Sequence, residues 1–185
     1  MPVRGAGGDG RLGYPDGMEA ARVVTVSDRS ARGERPDATG PVLVARLREA
    51  GWDAAGALVP DGADSVRAAI AEAVASGARL VVTTGGTGIG PRDETPEGTA
   101  PLLARTLPGI PEEIRRRGGS HGMLSRALAG IATGPGGRGA LVANLPGSPG
   151  GAADGLDVVL SVAAHVLSQL DGGDHDAAAH RAATA

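Results

Sequence analysis

The segment T-T-G-G-T-G-I-G-P-R-D-E-T-P-E-G-T, Thr83 to Thr99, concentrates the residue types that could do chemistry. Four glycines, Gly85, Gly86, Gly88 and Gly90, fall within six residues. Glycine permits positive φ and lets backbone N–H groups approach a ligand closely, so such a loop can bind an anion without side-chain charge. Arg92 and Asp93 follow at once, one suited to phosphate oxygens, the other to a divalent cation or a ligand N–H. The spacing breaks the G-x-G-x-x-G fingerprint, and a Walker loop needs a lysine that this chain lacks, so neither standard nucleotide loop is expected.

Asp61, in V-P-D-G, offers a second carboxylate. If it met Asp93, two like charges within about 4 to 6 Å would raise one pKa unless a cation or a donor intervened. A Mg²⁺ shared with substrate phosphates would resolve that conflict. Two further loops carry polar groups: Ser27-Asp28-Arg29, and N-L-P-G-S-P-G-G, Asn144 to Gly151. In the latter, Gly147 and Ser148 precede a helix whose first N–H groups would face a ligand. Glu112 and Glu113 open a short helix closed by Arg115 to Arg117, which the helix dipole explains without a ligand. His121, His165, His175 and His180 share no metal-ligand spacing.

These loops need elements to hold them. Arg22 to Val26 reads as a strand, as do Trp52 to Pro60 and Leu80 to Thr84. Thr39 is expected to cap a helix carrying Leu43, Leu47 and Ala50, and Asp64 one carrying Val66, Ala69, Ile70, Ala73 and Val74. Thr95, followed by Pro96, is expected to cap a third. The strand-helix alternation predicts a three-layer, doubly wound α/β domain, its mostly parallel sheet covered by helices on both faces. Ligands bind such sheets beyond the carboxyl ends of the strands, where Asp28, Asp61 and Asp93 all fall. Ala127 to Thr133 and Ala140 to Asn144 flank a Gly-rich turn and predict a small hairpin, and a last helix carries Leu156, Val159, Leu160, Ala163, Val166, Leu167 and Leu170.

Composition narrows the function. The 185 residues include 32 Gly and 13 Pro, a share near the disordered range, yet enough Ala, Val and Leu remain for one core. The excess gathers in residues 1–19, expected to be a flexible leader, and in the loops above. Residues 20–171 form the expected domain and 172–185 a flexible tail. With no Cys there is no disulfide or thiolate chemistry, and all 18 basic residues are Arg, which removes Schiff-base chemistry. A net charge of -3, one Trp and one Tyr give no surface for nucleic acid. No stretch is expected to reach the roughly 18 apolar residues of a membrane helix, and no signal peptide is evident, so the expected location is cytoplasmic.

The Thr83 to Thr99 segment, with V-S-D-R, L-V-P-D, P-E-E-I-R, M-L-S-R-A-L-A-G and N-L-P-G-S-P in this order, resembles the molybdenum cofactor biosynthesis proteins of the MoaB/MogA type from about Val23 to Leu170. The resemblance implies a molybdopterin-binding α/β fold, a homotrimer, and adenylylation of molybdopterin by ATP with Mg²⁺, with possible hand-over to a molybdate-inserting enzyme. It matches Asp61 and Asp93 to the two catalytic acids and metal ligands. Thr84, Gly85, Gly86, Thr87 and Gly88, with Pro146, Gly147 and Ser148, match substrate-binding loops, beside which Arg92 is expected to bind substrate through its phosphate oxygens. Ser27, Asp28 and Glu112 match further site-lining positions. A non-catalytic molybdopterin-binding or carrier module is the alternative.

Overall fold

The computed structural model describes residues 18–173. The expected leader and tail therefore lie outside the described residues, apart from Met18, Glu19, Gly172 and Gly173. In chain order the elements are β1 (Ala20–Val26), α1 (Asp28–Ala31), α2 (Gly40–Glu49), β2 (Asp53–Val59), α3 (Ala63–Ala75) and β3 (Leu80–Thr84). They continue with α4 (Thr95–Thr99), β4 (Arg105–Thr106), α5 (Gly109–Arg117), α6 (Gly119–Gly122), β5 (Ala129–Thr133), β6 (Gly139–Leu145) and α7 (Pro149–Leu170).

The strands form one sheet in the order β2-β1-β3-β6-β5-β4. β2, β1, β3 and β6 run parallel, while β5 is antiparallel to both β6 and β4. The β5–β6 hairpin stands where the Gly-rich turn placed it; two-residue β4 was not anticipated. Side chains alternate across the sheet. Val23, Leu80, Val82 and Leu141 pack with Leu43 and Leu47 of α2 and with Leu156 and Val159 of α7. Val24, Val26, Val81 and Val142 pack with Val66, Ile70 and Val74 of α3. Both faces of the parallel strands are thus covered, which explains their uninterrupted apolar runs.

Helix starts depart from expectation in three places. The N–H groups of Thr39 and Gly40 are taken at 3.0 and 2.9 Å by Asp37 Oδ1, so Asp37 rather than the Thr39 side chain secures α2. Asp64 lies inside the first turn of α3, paired with Arg67 at 3.0 Å. The residue before that helix is Gly62, which has no side chain, and the Ala63 N–H is instead accepted by Glu94 at 3.0 Å. Thr95 is already helical, and its hydroxyl donates to the Gly85 carbonyl at 2.8 Å.

Among the described residues one helix, α7, is long and apolar enough to cross a membrane, with a mean hydropathy of 1.3, contrary to the sequence reading. Its small residues had masked that length. Leu156, Val159, Ala163 and Leu167 face the sheet, so its apolar side is spent on the core.

Candidate functional site

β1 connects to a strand on one side of it and the chain then returns to β3 on its other side, so the carboxyl ends of β1 and β3 flank a crevice. Thr25 of β1, Thr84 of β3 and Leu145 of β6 stand side by side at that edge. A cavity of about 520 Å³ opens beyond them, within the usual range of about 300 to 1,000 Å³ for small-molecule sites.

The loop after β1 supplies Ser27 and Asp28. Ser27 Oγ accepts the Ser30 N–H at 3.3 Å and so caps α1. Asp28 and Asp61 bind reciprocally: Asp28 N–H donates to Asp61 Oδ2 at 3.2 Å, and Asp61 N–H donates to Asp28 Oδ1 at 3.1 Å. Asp28 Oδ2 also receives Arg92 Nη1 at 2.5 Å and lies 3.6 Å from Arg32. Among the described residues Asp61 Oδ1 has no hydrogen-bond donor, and it belongs to a carboxylate that lines the cavity.

The loop after β3 supplies Gly85 and Gly86, at φ +101 and +62. A Cβ on Gly85 would overlap the Val26 carbonyl, so this position needs glycine for space as well as for conformation. Gly88 and Gly90 lack positive φ; what they need is room. A Cβ there would come within 2.9 and 2.7 Å of Asp93 Oδ2. The Asp93 carboxylate is folded into its own loop, accepting the Gly90 N–H at 2.8 Å.

The expected meeting of Asp61 with Asp93 is therefore not what the structure holds. Asp93 does not line the cavity, and the acid beside Asp61 is Asp28. Sequence order put all these acids at one sheet edge, but a four-residue turn, closed by the Asp93 N–H on the Gly90 carbonyl at 3.0 Å, folds the Asp93 carboxylate back onto the Gly90 N–H.

The β6–α7 loop closes the remaining side. The Thr84 hydroxyl donates to the Pro146 carbonyl at 2.7 Å, and Gly147 packs against Gly85, whose Cα a Cβ on Gly147 would approach to 3.2 Å. Gly147 lines the cavity; Pro146 and Ser148 flank it without lining it. Ser148 precedes α7, and its side chain makes no capping bond. Asn144 is wholly buried and engaged at both ends of its amide: Oδ1 accepts the Leu128 N–H at 3.0 Å, and Nδ2 donates to Thr83 Oγ1 and Thr99 Oγ1 at 3.0 and 2.9 Å. It ties β6 to β3 and α4 and leaves nothing for a ligand. Glu112 is exposed in the first turn of α5, away from the cavity lining.

Sequence reasoning missed two groups. Arg126, in M-L-S-R-A-L-A-G, grips the Gly-rich loop: its N–H donates to the Thr87 carbonyl at 2.9 Å and its Nε to the Gly88 carbonyl at 2.7 Å. Its remaining nitrogens reach the Asp93 carbonyl and Glu97. The hydrogen bond from Arg126 holds the Glu97 carboxyl below the ordinary carboxylate range. Thr87 is buried beneath this clasp rather than open to the cavity. The second missed group is the stretch Arg35 to Thr39, which forms a wall of the cavity, with Arg29 and Arg35 exposed on its rim. The run Arg-Pro-Asp between a strand and a helix was the only local signal.

The site can thus present backbone N–H groups and Arg92 to an anion, with the Asp61 and Asp28 carboxylates beside them. Among the described residues no cluster of three or more His, Asp or Glu forms a complete metal cage. Asp61 Oδ1 beside Asp28 does fit a hard cation that takes its other ligands from phosphate and water, the habit of Mg²⁺.

Residues 22–165 match the family model described as "Probable molybdopterin binding domain". A molybdopterin adenylyltransferase of Pyrococcus furiosus is 41% identical over 149 residues, covering 78% of this chain and 87% of that protein. A molybdenum cofactor biosynthesis bifunctional protein of Synechococcus elongatus is 40% identical over 159 residues, covering 84% of this chain and 48% of its own, so the chain spans about half of that relative. The solved structure of the tungsten cofactor synthesizing protein MoaB from Pyrococcus furiosus superposes with a TM-score of 0.76 at 38% identity, covering 85% of this chain and 99% of that one. The Mog protein from Mycobacterium ulcerans gives the same TM-score and identity, covering 84% and 99%. A mostly parallel sheet with this glycine loop at its switch point, in a chain matched over most of its length by these proteins, places the chain in the molybdopterin-binding domain family of molybdenum cofactor biosynthesis proteins.

Proposed function

We propose that the protein is a molybdopterin adenylyltransferase, transferring AMP from ATP to molybdopterin with release of pyrophosphate. The observation that carries this reading is the single cavity in which Gly85, Gly86 and Arg92 face the Asp28–Asp61 pair. In the reaction a terminal phosphate oxygen of molybdopterin forms a bond to the α-phosphorus of ATP, and the bond to the bridging oxygen of pyrophosphate breaks in line. Such a transfer depends on positioning and charge neutralisation rather than on a covalent nucleophile. The absence of Cys and Lys is consistent with that.

The Gly86 N–H and Arg92 would hold phosphate oxygens, the Gly85 N–H being directed to the Leu145 carbonyl at 3.4 Å, while Gly147 presses the β6 loop against them. Asp61, with Asp28 beside it, would hold Mg²⁺, which when bound supplies charge neutralisation between the two anionic substrates. Asp93, matched by the family resemblance to a catalytic acid, acts in this geometry by bracing the Gly-rich loop. A homotrimer, and hand-over of the adenylylated product to a molybdate-inserting enzyme, belong to the same reading and rest on the resemblance.

Incubation with authentic molybdopterin, ATP and Mg²⁺ is expected to release pyrophosphate in step with adenylylated product. Tight molybdopterin binding without release under those conditions would instead assign the chain as a binding module.

A further inference from the structure

On the α2 and α7 side of the crevice the cavity has a second polar surface that the phosphate chemistry does not use. Thr25 shares with Val23 the sheet face covered by those helices, whereas Asp61 and Arg92 gather where α3 begins. Thr25 is 6% exposed, and its Oγ1 is buried with no hydrogen-bond partner among the described residues. A buried hydroxyl left in this state carries a desolvation penalty that a ligand could relieve.

Beside it lies Asp37. Its Oδ1 is spent on the Thr39 and Gly40 N–H groups, whereas Oδ2 receives no donor among the described residues. Both Asp37 Oδ2 and Thr25 Oγ1 would be overlapped by a Cβ on Gly40. The glycine at the start of α2 therefore keeps the two oxygens together around one small space at the cavity wall. That space offers a carboxylate oxygen that only accepts and, next to it, a hydroxyl that can accept or donate.

The ligand edge that complements this pair is an amino group adjacent to a ring nitrogen, the amino donating to Asp37 and the ring nitrogen pairing with Thr25. We propose that Thr25 and Asp37 form a subsite for the amino edge of a fused nitrogen heterocycle, holding the ring of a substrate whose phosphate lies at Gly85 and Gly86. This rests on the reading of the site as one for molybdopterin and ATP, both of which carry such an edge, in the pterin and in the adenine respectively.

The test uses the full chain and three probes titrated separately: 6-hydroxymethylpterin and adenosine, which lack phosphate, and inorganic pyrophosphate, which lacks a ring. Asp37→Asn keeps an oxygen for the α2 N–H groups but turns the free acceptor into a donor. Thr25→Val removes the hydroxyl at nearly constant shape. Each variant is expected to raise the dissociation constant of one ring probe by about tenfold, while pyrophosphate binding stays within about twofold. Weakened pterin binding names the pterin as the occupant; weakened adenosine binding names the adenine. Unchanged binding of both rings by both variants overturns the subsite and leaves the proposed function standing. Failure of the unsubstituted protein to bind any of the three probes overturns both. Unliganded Thr25→Val is expected to melt at or above the parent temperature, because it breaks no hydrogen bond; a lower melting point with unchanged ring binding would make Thr25 structural only.

Discussion

Asp28 and Asp61 hold one another through the backbone: each carboxylate accepts the other's amide N–H, at 3.2 and 3.1 Å. The loops after β1 and β2 are thereby locked together, and each negative charge is partly offset by a donor. Arg92 adds a guanidinium 2.5 Å from Asp28 Oδ2, bringing in the loop after β3. Asp61 keeps Oδ1 for a ligand.

Replacing Asp61 with Asn separates these two roles. The amide oxygen can still accept the Asp28 N–H, so the change in unfolding free energy is expected to stay within about 1 kcal/mol. Pyrophosphate release should fall by at least about a hundredfold, the scale of losing one electrostatic group that acts on the transition state. Paired denaturation and turnover measurements check this, and near-parental turnover would remove Asp61 from the mechanism.

Arg126 is expected to act by holding the Gly-rich loop still. Arg126→Met removes the side-chain donors to the Gly88 and Asp93 carbonyls and the pairing with Glu97. The loss should be on the order of 2 kcal/mol in stability, with hydrogen exchange across residues 86–94 accelerating more than in β1 or β6. Uniform acceleration across the sheet would argue against a local clasp.

How much of this could be read from the chain depends on the range of each interaction. The Val23, Val24 and Val81 runs and the Leu43, Leu47 spacing announced their elements because strand and helix periodicity are local. The glycine loop was equally plain, although Gly85 and Gly86 need their conformation while Gly88 and Gly90 need only space for Asp93. The direction of each carboxylate was not legible. Asp28 and Asp61 are 33 residues apart, and nothing in either segment says that their amides will cross. Thr39 was expected to cap α2, but Asp37 Oδ1 takes the Thr39 and Gly40 N–H groups, a choice made by the turn geometry rather than by any local pattern. Arg126 reaches back 38 residues to Gly88, a contact that no local pattern encodes.

Acid should loosen the clasp. The hydrogen bond from Arg126 lowers the Glu97 pKa in the folded protein, so the pair contributes its full stability above the ordinary carboxylate range and loses it as pH falls through the lowered value. Glu97→Gln lacks that titration. The stability difference between parent and variant is expected to shrink from pH 7 towards pH 3, and to be smaller throughout in high salt because the pair is half exposed. Denaturant midpoints across that range check both, and a difference constant with pH would show that the ion pair adds nothing.

At the opposite end of the sheet, Arg79 poses the converse case. It enters β3 with a side chain 2% exposed, and Nη2 donates to Asp171 Oδ1 at 2.8 Å. Nε and Nη1 are buried without partners among the described residues. A guanidinium taken out of water repays that cost only when its donors are matched, and one half-exposed carboxylate matches a single donor here. Asp171→Ala should therefore destabilise by about 2 kcal/mol, since it strands the buried charge. Arg79→Met, which fills similar space without charge, should leave stability unchanged or raise it. Neither residue lies near the cavity, so pyrophosphate release by both variants should match the parent at temperatures where each is folded. A large loss of stability in Arg79→Met would instead mean that the ion pair outweighs the two unmatched nitrogens.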